Sequence, residues 1–211
     1  WVRVPGGEYD AREEQRDSWC DIDVTSDIGV LRRVEGREDV APFLVGSFDI
    51  ECVPEGGRGF PDPTKPHDKC IQIGTSVYRF GEDKPFVSSV LALESVDEVE
   101  GVSVRYFATE AELLLAWRDL VVLELDLDML TGHNIFKFDL NYIAKRAEQL
   151  GLSDFWQLGR IKNRMSAVRS VESQTTAFGH NEFHYLPMTG RFQVDIFQVI
   201  KKDHRLSSYK L

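Results

Sequence analysis

The sequence predicts an α/β fold built on a mixed sheet. Three observations carry this. Strand-length apolar or alternating runs lie at 43–51, 70–78 and 86–93, a helix with its own capping signal opens at Thr109, and a short strand at 128–132 leads straight into a second amphipathic helix. Strands, then helix, strand and helix, bury their apolar surfaces most simply by laying the helices on the sheet. With 42% hydrophobic residues, 13 Phe, 4 Trp and 6 Tyr, the 211-residue chain has ample material for a core and is no disordered polymer. The apolar runs are a few residues long, far short of the about 20 needed for a membrane span, so no membrane partner is expected.

Taken in order, residues 1–42 are polar and interrupted by Gly6-Gly7, Gly29 and Gly36, with short alternation at Cys20-Asp21-Ile22-Asp23-Val24; they read as a β-rich segment of short strands and turns. The run Phe43 to Glu51 is apolar and ends in carboxylates, as a buried strand does where it leaves a sheet. The Gly- and Pro-rich cluster from Pro54 through Pro63 reads as a surface loop. The helix at 109 carries a capping box, Thr109 with Glu112, and places Leu113, Leu114, Trp117, Leu120 and Val121 on one face. Trp117 is therefore assigned to the core. The second helix puts Leu140, Ile143, Ala144, Ala147 and Leu150 on one side and stops at Gly151. Residues of about 170–190, rich in Ser, Thr, Gly and His, read as a long hairpin, followed by a strand at Arg191–Asp195 and a helix from Ile196.

Charge and cysteines bound the setting. Lys and Arg number 25 and Asp and Glu 35, a net charge of −10. The first 154 residues hold 16 basic and 31 acidic side chains, the rest 9 and 4: an acidic body that suits metal ions beside a basic C-terminal quarter that suits phosphates, or, as charge alone favours, uneven surface decoration. Three cysteines with no C-x-x-C pair indicate reduced thiols, buried or half-buried, and an intracellular setting. The opening Trp1-Val2-Arg3 lacks a Met and a signal pattern, so the chain reads as a piece of a longer polypeptide.

Two motifs carry chemistry. Asp49 and Glu51, two apart on a strand, point to one face with about 6.6 Å between their Cα atoms and can converge on hard cations such as Mg²⁺ or Mn²⁺. By itself a D-x-E is common and more often simply marks where a strand leaves the core. In Gly132-His133-Asn134-Ile135-Phe136-Lys137-Phe138-Asp139 the glycine permits a tight strand-to-helix turn, Asn134 offers an amide, and Asp139 is a carboxylate on an otherwise apolar helix start. Taken alone, it also suits a first-turn Asp complementing the helix dipole.

Together, a D-x-E followed about 80 residues later by G-x-N-x-x-x-F-D resembles the first two exonuclease motifs of family B DNA polymerases. The resemblance continues through Ser47–Cys52, Gly59-Phe60-Pro61, Ile71–Gly74, Leu114–Trp117, Gly159-Arg160 and Gly190–Val199, in the order of the delta-type branch found in eukaryotes and large DNA viruses. The resemblance implies a ribonuclease H-like 3′→5′ exonuclease domain over 43–211. It implies Asp49, Glu51 and Asp139 as catalytic ligands of two Mg²⁺ or Mn²⁺ ions, with Asn134 and Phe138 at the substrate. Its implied partners are primer–template DNA and its single-stranded 3′ end, with deoxynucleoside triphosphates and accessory replication subunits for the full-length protein. The implied location is the nucleus if the source is cellular, the infected host cell if viral. The third motif, a Tyr four residues before a fourth carboxylate, is expected beyond Leu211, so residues 1–211 alone are expected to be inactive.

Other residues weigh less. His133 stands where the family commonly has Tyr. Asp195 belongs to a separate G-R-x-x-x-D pattern and reads as structural support. His180 and His184, about 13 Å apart along a strand, are too distant for one zinc ion. Arg164, Arg169 and Phe178 around the hairpin, and Lys201, Lys202 and Arg205 beyond it, are candidates for nucleic-acid contact. The rival readings are a freestanding exonuclease of the same fold and a non-catalytic DNA-binding or docking domain.

Overall fold

The computed structural model describes residues 1–175, 179–204 and 206–209. Phe178 and Arg205 lie outside these, as does the side chain of His180. The N-terminal residues pair briefly: β1 (Val2–Arg3) with β4 (Arg32–Arg33), and β2 (Asp10–Ala11) with β3 (Val24–Thr25), each antiparallel and exposed. Of the alternation at 20–24 only Val24 enters a strand. This segment is tied to the body through Trp19 N–H to the Arg160 carbonyl and Lys162 N–H to the Asp17 carbonyl, both 2.8 Å.

Among the described residues the main sheet has six strands: β5 (Leu44–Val53), β6 (Lys69–Arg79), β7 (Val87–Leu93), β8 (Ser103–Phe107), β9 (Met129–Gly132) and β12 (Phe192–Asp195), in the order β12-β9-β5-β6-β7-β8. Strands β5, β6 and β7 form an antiparallel meander, whereas β9 runs parallel to β5, and β12 parallel to β9. This mixed sheet with flanking helices is the ribonuclease H-like arrangement. The sequence reading missed β8, which lies parallel to β7 at the sheet edge and is half exposed, so it carries no clean alternation.

Helix α1 (Glu110–Asp119) starts as its capping box requires: Glu112 N–H donates to Thr109 Oγ1 at 3.2 Å, and Thr109 N–H to Glu112 Oε2 at 2.9 Å. It widens into a π-helical turn, Leu120–Glu124, that keeps Leu120 and Val121 buried. Helix α2 (Asp139–Gln149) buries Leu140, Ile143, Ala144 and Ala147; Leu150, expected on the same side, caps the helix and is exposed. Gly151 follows with φ +67°, which terminates the helix. Both helices pack on one sheet face, where Trp117 meets Phe48 with ring centroids 5.0 Å apart. A buried ion pair joins the helices: Arg146 donates to both carboxylate oxygens of Glu110, at 2.9 and 2.5 Å, while Glu110 also accepts the Cys70 N–H. Besides short 3-10 turns, the described residues also form the hairpin β10 (Arg169–Thr175) with β11 (Gly179–Tyr185), and α3 (Ile196–Asp203). All three cysteines are free, Cys70 buried and Cys20 and Cys52 half-buried.

Candidate active site

The site forms where β9 stops and β5 continues. Pairing between them ends at Ser47 and Thr131, and β5 runs on to Val53. A strand that outlasts its neighbour exposes backbone N–H groups that need acceptors. One acceptor is Asp139: its Oδ1 takes the Ile50 N–H at 3.3 Å, bridging 89 residues of sequence. Gly132 makes this possible. A Cβ there would lie 2.5 Å from the Phe48 carbonyl oxygen and 2.5 Å from Ile135 Cγ2, so only glycine lets the chain leave the sheet so close to β5.

Along β5, Phe48 and Ile50 are buried while Asp49 and Glu51 are exposed on the other face, as alternation predicts. A β-bulge falls between Glu51 and Cys52: Glu51 faces Gln72 and Cys52 faces Cys70, leaving Ile71 as the extra residue. Bulges re-aim side chains beside functional sites, and no local pattern announced this one.

Asp139 is the first residue of α2 and is only 3% exposed. Burial, reinforced by the negative charge of Asp49 and a hydrogen bond shared with it, pushes its carboxyl up to about 7 from the ordinary 3.8, although its own N–H and that of Ile50 oppose the shift. The structure thus brings Asp49 and Asp139 together. Glu51 lies two residues along the same strand face, and among the described residues no group of three or more His, Cys, Asp or Glu closes into a metal-holding cluster. The donor set nevertheless fits a hard dication, because a buried carboxyl crowded by an exposed neighbouring carboxylate is relieved by positive charge, and both supply oxygen ligands.

Asn134 adopts φ +64° in the turn after Gly132, and no donor reaches its buried Oδ1. Phe138 sits at the N-cap position of α2, which has no side-chain cap, and its ring packs against Tyr142 at 5.2 Å and Phe60 at 5.3 Å. Phe60 is the residue that sequence reasoning passed over as part of a surface loop. It is 78% exposed, an uncovered aromatic next to the Asp139 turn. Its loop is shaped by Asp68, whose carboxylate accepts the N–H groups of Asp62 and Glu55, both at 2.8 Å, and is held below the usual carboxylate range by them. His133 packs edge-on against Phe197 and lines, with Asp49, Ser47 and Thr131, a cavity of about 860 Å³ along the sheet face. The hairpin is anchored to the same turn: His184 N–H donates to the Phe136 carbonyl at 2.6 Å, and Lys137 lies over the Phe183 ring. Arg164, Arg169 and Lys202 are exposed; Lys201 lies over the Phe197 ring. Asp195 is turned inward as structural support.

A mixed sheet of this order, with carboxylates meeting where its parallel strands part, defines the class as a ribonuclease H-like nuclease domain. Comparison with known proteins is consistent throughout. The family model described as DNA polymerase family B, exonuclease domain, matches residues 1–211, and the chain belongs to that family. It is 42% identical over 215 residues to the DNA polymerase delta catalytic subunit of Arabidopsis thaliana, and 36% over 216 and 35% over 215 residues to those of Mesocricetus auratus and Schizosaccharomyces pombe. In each case all of this chain is covered, and it spans 19% of the relative's length.

Proposed function

We propose that this chain is the 3′→5′ proofreading exonuclease portion of a delta-type, DNA-directed DNA polymerase, with residues 43–211 as the exonuclease domain and 1–42 as a preceding β-rich segment. The observation that carries this reading is the Asp49–Asp139 pair: a carboxyl buried against a second carboxylate is costly for folding and suited to gathering cations. Asp49, Glu51 and Asp139 would hold two Mg²⁺ or Mn²⁺ ions, which in such sites lower the pKa of the attacking water and offset charge on the leaving 3′ oxygen. The protein's own part is placement. Phe138 and the uncovered Phe60 offer stacking faces for the terminal base, and Asn134 a polar contact for the primer's 3′ end. The negative body is compatible with DNA, since the scissile phosphate is met by cations. Primer–template DNA, deoxynucleoside triphosphates and accessory replication subunits would be partners of the full-length protein, and a replicative role places it in the nucleus of a cellular source or in the infected host cell of a viral one.

The test uses the full-length protein and a 5′-labelled primer with a mispaired 3′ end. Cleavage should rise and saturate with Mn²⁺, and Asp49→Ala should abolish it while weakening Mn²⁺ binding. Unchanged Mn²⁺ binding and no cleavage by either form would instead identify a docking module with a dead nuclease fold.

A further inference from the structure

We infer that Asp195 is a positioning residue for the exonuclease site, acting through the turn that carries Asn134; the inference rests on the function proposed above. Asp195 ends β12 beside Gly132, the last residue of β9, and is 2% exposed. Its Oδ1 accepts the N–H of Asn134 at 2.8 Å and that of Phe197 at 3.0 Å, and its Oδ2 accepts the N–H of Phe136 at 3.2 Å. The bond to Phe197 caps α3 and needs nothing further. The other two bonds reach across 61 and 59 residues into the β9–α2 turn, beyond anything a helix cap requires.

Those two bonds fall where the turn is least able to hold itself. Asn134 has φ +64°, a left-handed conformation uncommon outside glycine, though Asn adopts it more readily than most L-residues. Its side-chain Oδ1 is buried with no donor, so the amide is aimed by the backbone rather than by a bond of its own at that oxygen. The α2 start downstream has no side-chain cap, which leaves Phe138 and Asp139 dependent on the turn that precedes them. One buried carboxylate therefore sets the direction of Asn134 and the entry of the chain to Asp139. Because it accepts on both oxygens, an amide cannot replace it: in Asp195→Asn the new NH₂ group would face the Phe136 N–H, donor against donor.

The test measures kcat/KM for 3′-terminal hydrolysis of a single-stranded oligonucleotide by the full-length protein at saturating Mn²⁺, with nucleotide incorporation by the same preparations as the readout of folding. The forms compared are wild type, Asp195→Asn, Asn134→Ala, the double variant and Asp49→Ala. Asp195→Asn should lose roughly ten- to a hundredfold, as for one hydrogen bond to a charged acceptor. The double variant should lose clearly less than the product of the two single losses, because part of the Asp195 effect runs through Asn134, and incorporation should be unchanged. Wild-type hydrolysis in Asp195→Asn, losses that multiply in the double variant, or incorporation falling in parallel would each overturn the inference. Hydrolysis retained by Asp49→Ala would instead sink the site assignment beneath it.

Discussion

Asp139→Asn should make the isolated chain more stable at neutral pH. In the folded chain the Asp139 carboxyl titrates at about 7, against 3.8 ordinarily. Below pH 3.8 both folded and unfolded forms hold the proton. Between 3.8 and 7 the unfolded chain releases it while the folded chain keeps it, so the folded state binds more protons and stability falls as pH rises. The difference of about three pH units corresponds to roughly 4 kcal/mol lost by pH 7.5, nearly all of it from burial and the neighbouring Asp49 charge. Asparagine removes this ionisation yet keeps an oxygen for the Ile50 N–H and presents an NH₂ group to Asp49. Urea unfolding in EDTA, followed by the fluorescence of the buried Trp117, should therefore show the variant gaining about 4 kcal/mol on wild type between pH 4 and 7.5. Adding Mn²⁺ at pH 7.5 should narrow the gap to about 1 kcal/mol, since a cation at a hundred times its Kd would stabilise the wild type alone by about 2.7 kcal/mol. Parallel pH profiles for the two proteins would refute the buried-charge argument, and stabilisation of the variant by Mn²⁺ would refute Asp139 as a ligand.

Arg146→Met should unfold the chain at lower urea, with a loss of about 3–5 kcal/mol, because it strands the buried Glu110 carboxylate between α1 and the Cys70 N–H; equilibrium unfolding checks this. Gly132→Ala should cost about 1–3 kcal/mol through the forced shift of the Phe48 carbonyl and Ile135, and should lower the Mn²⁺ affinity of the chain by calorimetry because β5 and the Asp139 turn are pushed apart.

What was legible in the sequence is what neighbouring residues decide among themselves. Alternation along β5 settled which face Asp49 shares with Glu51, and the Thr109–Glu112 box marked the start of α1 to the residue. Gly132 announced a tight exit from the sheet, and Asp195 read as support because its motif stands apart from the carboxylates. What escaped depends on partners distant in the chain. Strand β8 is a strand only because β7 offers it an edge, the bulge at Ile71 exists only in the register of β5 against β6, and Glu110 and Arg146 look like ordinary surface charges until α1 and α2 lie side by side. Phe60 was missed for a different reason: in a loop of Gly and Pro an exposed aromatic has no periodicity to betray it.

These long-range partners also explain how the site persists. Within Asn134–Asp139 the chain breaks three local preferences: a left-handed Asn, a helix begun without a side-chain cap, and a carboxylate buried against another. Little inside the segment compensates for them beyond the Asp139 N–H, which favours its own carboxylate, and the turn bonds to the Asn134 carbonyl. Compensation comes from outside, through Asp195 on the turn, the Ile50 N–H on Asp139, and the Glu110–Arg146 pair that seats α2 against the sheet. Each support comes from a strand of the sheet or from a helix packed on it. The cost of gathering negative charge is thus spread over the rigid sheet and helices, which can hold the carboxylates close together in a way that a free loop could not.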